Sequence, residues 1–209
     1  MDPQKTLNQI AQDVADCQKC ILHYSRKNAV PGEGPADADI MFIGEGPGFH
    51  ENEQGLPFVG AAGKFLDDLL ASINLKRSDV FIANVVKCRP PGNRDPMPEE
   101  LEACSDYLEK QIKAINPQVI VTLGRFSMAR YFPNAKISAI HGQPKVVKGR
   151  LLVPMYHPAA ALHQGSLRPV IQEDFARLPE LITKAEKIES PAGGSSHQGD
   201  EEPKQLSLF

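Results

Sequence analysis

The chain has 209 residues, a formal net charge of −3 and 41% hydrophobic residues, with four cysteines and no tryptophan. That length allows one α/β domain with a sizeable core plus a tail, and the charge alone does not point to nucleic acid. No apolar run approaches the ~20 residues that span a bilayer, and Met1-Asp2-Pro3-Gln4-Lys5 lacks the basic and apolar segments of a secretory signal.

In chain order, Leu7, Ile10, Ala11 and Val14 repeat at helical spacing and lead into the pair Cys17 and Cys20. Ala38 to Gly44 predicts a buried strand ending on glycine. Gly60 to Ile73 predicts a helix with Phe65, Leu66, Leu69, Leu70 and Ile73 on one face. Val80 to Asn84 is a second strand. Pro98 suits a first helical turn and Glu99 and Glu100 its positive end, so a helix is expected from there to about Ile115. Gln118 to Leu123 is a third strand, followed by a helix over Gly124 to Tyr131. Lys145 to Val147 and Leu151 to Met155, split by Lys148-Gly149-Arg150, predict paired strands. A last helix is expected over Asp174 to Lys187.

Strands alternating with helices predict a three-layer α/β/α fold around a mainly parallel four-stranded sheet. Sites in such sheets lie at the carboxyl ends of the strands. That rule selects Gly44-Glu45, Asn84, Gly124 and Tyr156-His157. Residues 1–188 form the expected domain. Residues 189–204 have the composition of a disordered linker, and over Glu186 to Phe209 the acids Glu186, Glu189, Asp200, Glu201 and Glu202 outweigh Lys187 and Lys204. Without that acidic stretch the folded part is near neutral, so local basic patches can hold phosphates.

Cysteine use is the sharpest signal. Cys17 and Cys20 form a C-x-x-C pair, and Cys88 and Cys104 lie far downstream. An expected cytosolic chain keeps its thiols reduced, which favours a metal or cluster site over disulfides. On spacing alone zinc fits as well as iron–sulfur.

Three further segments carry chemistry. Gly44-Glu-Gly-Pro-Gly48 and Gly55-Leu-Pro-Phe-Val-Gly60 cluster glycines that either make a tight strand-to-loop turn, the reading spacing alone favours slightly, or let backbone N–H groups approach a ligand closely. It is neither a Walker loop nor a dinucleotide fingerprint. Asn84-Val-Val-Lys-Cys88-Arg-Pro-Pro-Gly-Asn-Arg94 puts an amide at a strand end, where it reads a donor–acceptor pair or merely starts a turn. Lys87, Arg89 and Arg94 there form either a phosphate contact or a solvated loop. Tyr156-His-Pro-Ala-Ala160 puts an imidazole after another strand.

In this order, with these cysteines, the segments resemble the family 4 uracil-DNA glycosylases from about Cys17 to Ile182. The resemblance implies that a uracil-bearing nucleotide is flipped out of DNA and its N-glycosidic bond hydrolysed, leaving free uracil and an abasic site. It implies a [4Fe–4S] cluster on Cys17, Cys20, Cys88 and Cys104. Phe58 is then expected to stack on uracil and Asn84 to bond O4 and N3–H. Glu51 would wall off a 5-methyl group. The backbone at Gly46 and the His157 side chain would stabilise the leaving anion. Glu45 is the first choice for placing water or stabilising the sugar cation, with Glu51 its rival. Arg89, Arg94 and Arg168 are expected at phosphates, and Leu162 or Leu167 as a wedge in the gap left by the base or as plain core residues. Asn52 departs from the family, which usually has Asp there; an Asp that places water would make this chain slower without it. No basic, His-containing insertion follows the Asn84 strand, so turnover is expected rather than covalent trapping.

Gln205-Leu-Ser-Leu-Phe209 resembles the peptide by which bacterial repair proteins dock on the DNA polymerase sliding clamp. These readings together imply a bacterial, cytoplasmic monomer, associated with the nucleoid when on DNA. The competing reading is a non-catalytic iron–sulfur carrier or zinc nucleic-acid-binding protein.

Overall fold

A computed structural model describes residues 2–188. The expected linker 189–204 and clamp peptide 205–209 lie outside the described residues.

The elements run α1 (Pro3–Ala15), β1 (Ile40–Gly44), α2 (Phe49–Gln54), α3 (Ala61–Ser72), β2 (Phe81–Asn84), α4 (Pro98–Ile115), β3 (Val119–Leu123), α5 (Arg125–Ala129), α6 (Ile137–Ile140), β4 (Lys145–Val147), β5 (Arg150–Met155), α7 (Pro158–His163) and α8 (Leu167–Ile188). The sheet has five strands in the order β2-β1-β3-β5-β4. Four are parallel; β4 pairs antiparallel with β5, Val147 opposite Arg150. The expected four-stranded sheet thus gains an edge strand. The Lys148-Gly149 turn that makes this possible has positive φ at both residues, +50° and +74°, the geometry that suits the twist of a two-residue hairpin.

Both sheet faces are covered, which explains strands that are apolar without alternation. Side chains nonetheless point to opposite faces at successive positions. Phe42, Val121 and Val153 pack with Leu66, Leu69, Leu70 and Phe175 from α3 and α8. Met41, Ile43, Ile120 and Leu152 pack with Leu7, Ile10 and Val14 of α1 and Leu108 and Ile112 of α4. The centre is dry: Met41, Phe42, Ile43, Val121 and Val153 have no solvent exposure.

Three helices begin or lie where sequence periodicity gave no warning. α2 is six residues long, opened by a backbone cap on Glu51 and closed by Gly55 at φ +73°. α7 opens on His157 as its N-cap, with Pro158 in the first turn. α8 begins seven residues before the expected Asp174 and contains Pro179; Pro169 falls in its first turn, where a missing N–H costs nothing. Among the described residues no helix is long and apolar enough to cross a membrane.

Candidate active site

Parallel pairing aligns Gly44 with Asn84 at the carboxyl edge of β1 and β2. β5 ends at Met155, so His157 arrives at the same edge two strands away. Glu45, Gly46, Gly48, Glu51, Phe58, Asn84 and His157 line one cavity of about 250 Å³ there, rimmed by Pro90, Asn93, Arg94 and His163. The structure therefore brings together the amide, the imidazole, the aromatic ring and both carboxylates singled out from sequence.

Asn84 is 2% exposed, and its Oδ1 has no hydrogen-bond partner among the described residues. An unpaired buried acceptor is unfavourable and marks where a ligand donor belongs. Space for that amide exists only because residue 44 is glycine. A Cβ on Gly44 would lie 2.4 Å from Asn84 Oδ1 and 2.7 Å from the Phe58 ring.

Phe58 is held in a left-handed conformation, φ +52°, which is uncommon and strained for a bulky residue. Arg77 overcomes it. Its guanidinium donates to the carbonyls of Phe58 at 3.1 Å and Pro57 at 2.5 Å while also bonding Asp67. The Phe58 and His157 rings stack with centroids 5.4 Å apart and planes 24° from parallel.

His157 is fixed in tautomer. Its Nδ1 accepts the backbone N–H of Ala159 at 3.1 Å, so the neutral ring carries its proton on Nε2 and that nitrogen is the donor. The ring keeps a little surface through the cavity, yet the surrounding protein mass lowers its pKa to about 4, opposed only by the Glu51 carboxylate. At neutral pH the site holds an uncharged imidazole.

The two carboxylates differ. Glu51 accepts three backbone N–H groups, from Gly48 at 3.1 Å and from Val59 and Gly60 at 2.9 Å. It knits the two glycine-rich loops together and is committed by those bonds. Glu45 accepts no such set. Burial, reinforced by Asp95 and opposed by Arg125, raises its pKa above the ordinary carboxylate value.

The basic residues separate sharply. Lys87 is 1% exposed, and its ammonium bonds Asn84 O and Gln111 Oε1; it has no access to phosphate, contrary to the loop reading. Arg94 reaches the cavity rim but forks onto Glu100, at 2.6 and 2.9 Å, a carboxylate with no solvent exposure. That bond orients the guanidinium at the rim, where the Arg94 side chain stays 32% exposed. Arg89 is tied only to Asn93 among the described residues and lies over the ring of exposed Phe49, 5.3 Å from its centroid. Arg168 stacks on Phe65 at 4.2 Å. Leu162 is 47% exposed on α7, whereas Leu167 packs against the core. Asn52 is buried and accepts the backbone N–H of Lys27; it latches α2 to the N-terminal loop and does not line the cavity.

Cys17, Cys20, Cys88 and Cys104 line a second cavity together. Burial raises the pKa of Cys20, Cys88 and Cys104, the last to about 11, and neighbouring cysteines add to each shift. N–H donors converge on the sulfurs: Arg26 Nη1 on Cys88 at 3.3 Å, the Lys87 amide on Cys104 at 3.2 Å and the Lys19 amide on Cys17 at 3.5 Å. Among the described residues no three His, Cys, Asp or Glu side chains are grouped to grip a single metal ion. Arg26, Arg77 and Gln111 are the functional contributors that sequence reading missed. Each acts through a partner distant in sequence and carries no local signature.

A pyrimidine-sized pocket with an unpaired amide and a neutral imidazole, at the carboxyl edge of a parallel sheet, defines a base-binding α/β protein. The uracil DNA glycosylase superfamily model matches residues 31–178. The chain is 44% identical to the type-4 uracil-DNA glycosylase of Sulfurisphaera tokodaii, over 95% of this chain and 96% of the relative. Identity to the type-4 uracil-DNA glycosylase of Archaeoglobus fulgidus is 47%, over 86% of this chain and 95% of the relative. It is 43% to that of Thermotoga maritima, over 84% and 94%. The chain belongs to the uracil DNA glycosylase superfamily, in its type-4 group.

Proposed function

We infer that the protein removes uracil from DNA by hydrolysing the N-glycosidic bond, and that the observation carrying this reading is the orphaned Asn84 Oδ1. Uracil N3–H is the donor it lacks, and the amide N–H₂ of the same side chain suits O4. Cytosine presents the opposite pattern at both positions and would leave both groups unpaired, the condition under which a site discriminates strongly. The nucleotide must first leave the stack, because the bond is inaccessible within a duplex.

Cleavage leaves electrons on the base and a positive sugar. The base accumulates charge at O2, where His157 Nε2–H and the Gly46 backbone are the proposed donors. Such donors help because they are fixed before the reaction begins. His157 can play this part as a neutral group, since its proton sits on Nε2 and is not released. Glu45, raised in pKa but free of backbone bonds, is the proposed partner for water or for the sugar cation. Glu51, bound by three amides, is proposed as the rigid wall beside C5, which excludes thymine. Phe58 supports the ring face.

The four-cysteine cavity supports a [4Fe–4S] cluster, since four thiols with converging N–H donors are the surroundings such clusters take. Hydrolysis moves no electrons, so the cluster's proposed work is to staple the N-terminal loop, the Cys88 loop and α4. On the outer surface Arg89 with Phe49 is the proposed DNA contact, joined by Arg168, and Leu162 is the proposed wedge. The Gln205–Phe209 peptide is proposed to dock on a sliding clamp; its removal should abolish clamp binding and leave activity on short oligonucleotides intact.

The decisive assay mixes the protein with single- and double-stranded DNA containing uracil and looks for free uracil and abasic sites. Their absence would defeat the reading.

A further inference from the structure

We propose that Lys87 is a positioning residue of the uracil site, fixing the end of β2 so that the Asn84 amide meets the flipped base. This rests on the uracil reading above. Lys87 touches three parts of the machinery at once. Its Nζ donates to the Asn84 carbonyl at 3.0 Å and to Gln111 Oε1 at 2.6 Å. Gln111 Nε2 in turn donates to Pro31 O at 2.7 Å, which anchors the ammonium to α4 and to the N-terminal loop. The Lys87 backbone N–H donates to Cys104 Sγ at 3.2 Å. One side chain therefore joins the backbone of the base reader to the helix that carries a cysteine of the second cavity.

Packing does not explain the choice of residue. Lys87 is among the largest fully buried side chains, and no carboxylate pairs with it among the described residues. Burying an ammonium against neutral acceptors is unfavourable, and an apolar side chain of similar volume would fill the space better. What methionine or leucine cannot do is donate to the Asn84 carbonyl. β2 is an edge strand, and on its outer side the bridge to Glu33 is made at Ile82, two residues short of Asn84. A donor from within the core supplies the missing restraint. An Ångström of drift at Asn84 would open both of its bonds to uracil, and displacements of that size cost about a hundredfold in rate.

The test uses the full-length protein as purified, with Lys87→Met, Lys87→Gln and Gln111→Leu. For each, iron content, visible absorbance, thermal midpoint, affinity for a uracil-containing oligonucleotide, affinity for free uracil and single-turnover release rate are measured. Positioning predicts that Lys87→Met keeps iron and oligonucleotide affinity within about twofold, but loses roughly 10- to 100-fold in release rate and in free-uracil affinity. Lys87→Gln, which retains a donor, recovers part of that loss. Gln111→Leu leaves Lys87 in place and loses less in the same direction, which keeps the test alive if Lys87→Met does not fold. The proposal is overturned if Lys87→Met and Gln111→Leu release uracil at wild-type rate, or if every loss of rate matches a loss of iron while free-uracil affinity of the folded fraction stays unchanged. A wild-type protein that releases no uracil defeats the uracil reading itself; an active wild type with insensitive variants defeats only this inference.

Discussion

The Ala159 backbone N–H points at His157 Nδ1 across 3.1 Å, and this single bond determines which ring nitrogen faces the cavity as a donor. Replacing His157 with alanine removes a preorganised donor, and the release rate should fall about 10²- to 10³-fold with little change in oligonucleotide affinity. Single-turnover kinetics beside equilibrium binding checks the split. Equal losses in both would show that His157 holds DNA rather than the departing base.

The same residue sets a pH dependence of stability. Its folded pKa, about 4, lies below the ordinary histidine value of about 6.5. Between those values the unfolded chain binds the proton and the folded chain does not, so stability falls as pH drops from 6.5 toward 4. The loss is about 3 kcal/mol at most. Urea unfolding at pH 7.5, 5.5 and 4.5 measures it, and His157→Asn should flatten that slope. An unchanged slope in the variant would place the proton uptake elsewhere.

Glu45 predicts the acid limb of the rate profile. Burial and Asp95 raise its pKa, so a carboxylate that must be ionised to assist water loses its charge at a pH above the usual range. The rate should fall with acid earlier than an exposed glutamate would allow. Asp95→Asn removes the like charge and should move the limb to lower pH. A limb that ignores Asp95→Asn would count against Glu45 as the essential base.

Gly44→Ala tests the pocket's geometry. The new Cβ would meet Asn84 Oδ1 and the Phe58 ring below 3 Å, so both must shift. Uracil release should drop about 10²-fold, with the fold retained by circular dichroism. Near-normal activity would mean that Asn84 and Phe58 do not grip the base from these positions.

Arg89 and Arg94 should separate cleanly. Arg89→Ala removes the proposed phosphate contact, so affinity should fall evenly across sequences and the salt slope decrease by about one charge, with the thermal midpoint unchanged. Arg94→Ala strands a buried carboxylate, Glu100, and should lower the thermal midpoint instead. Reversal of the two phenotypes would return Arg94 to the DNA surface.

Much of this was legible before any coordinates. Strand ends are written in apolar runs stopped by Gly44, Asn84 and Tyr156, and parallel pairing then forces those ends to one edge. Short helices were not legible: α2 and α7 have too few turns for periodicity and depend on caps supplied by Glu51 and His157. Long-range restraints were invisible because no local pattern marks a side chain's distant partner. Arg26 and Cys88 are 62 residues apart, and Arg77 reaches Phe58 across 19. Lys87 misled because a lysine beside a proline-rich loop reads as solvated, while the end of β2 in fact turns it into the core. The Arg94 ion pair was not legible: Glu100 sits in the first turn of α4 as expected, but nothing local shows that it is buried there with Arg94 as its partner.

The central claim is that Asn84 reads uracil. Free uracil released from a uracil-containing oligonucleotide by the wild-type protein and by Asn84→Ala, at matched folded-protein concentration, tests it most directly. The account predicts rapid release by the wild type and a loss of at least tenfold in the variant, as expected when a bidentate polar contact to the base is removed. Equal release by the two proteins would contradict it.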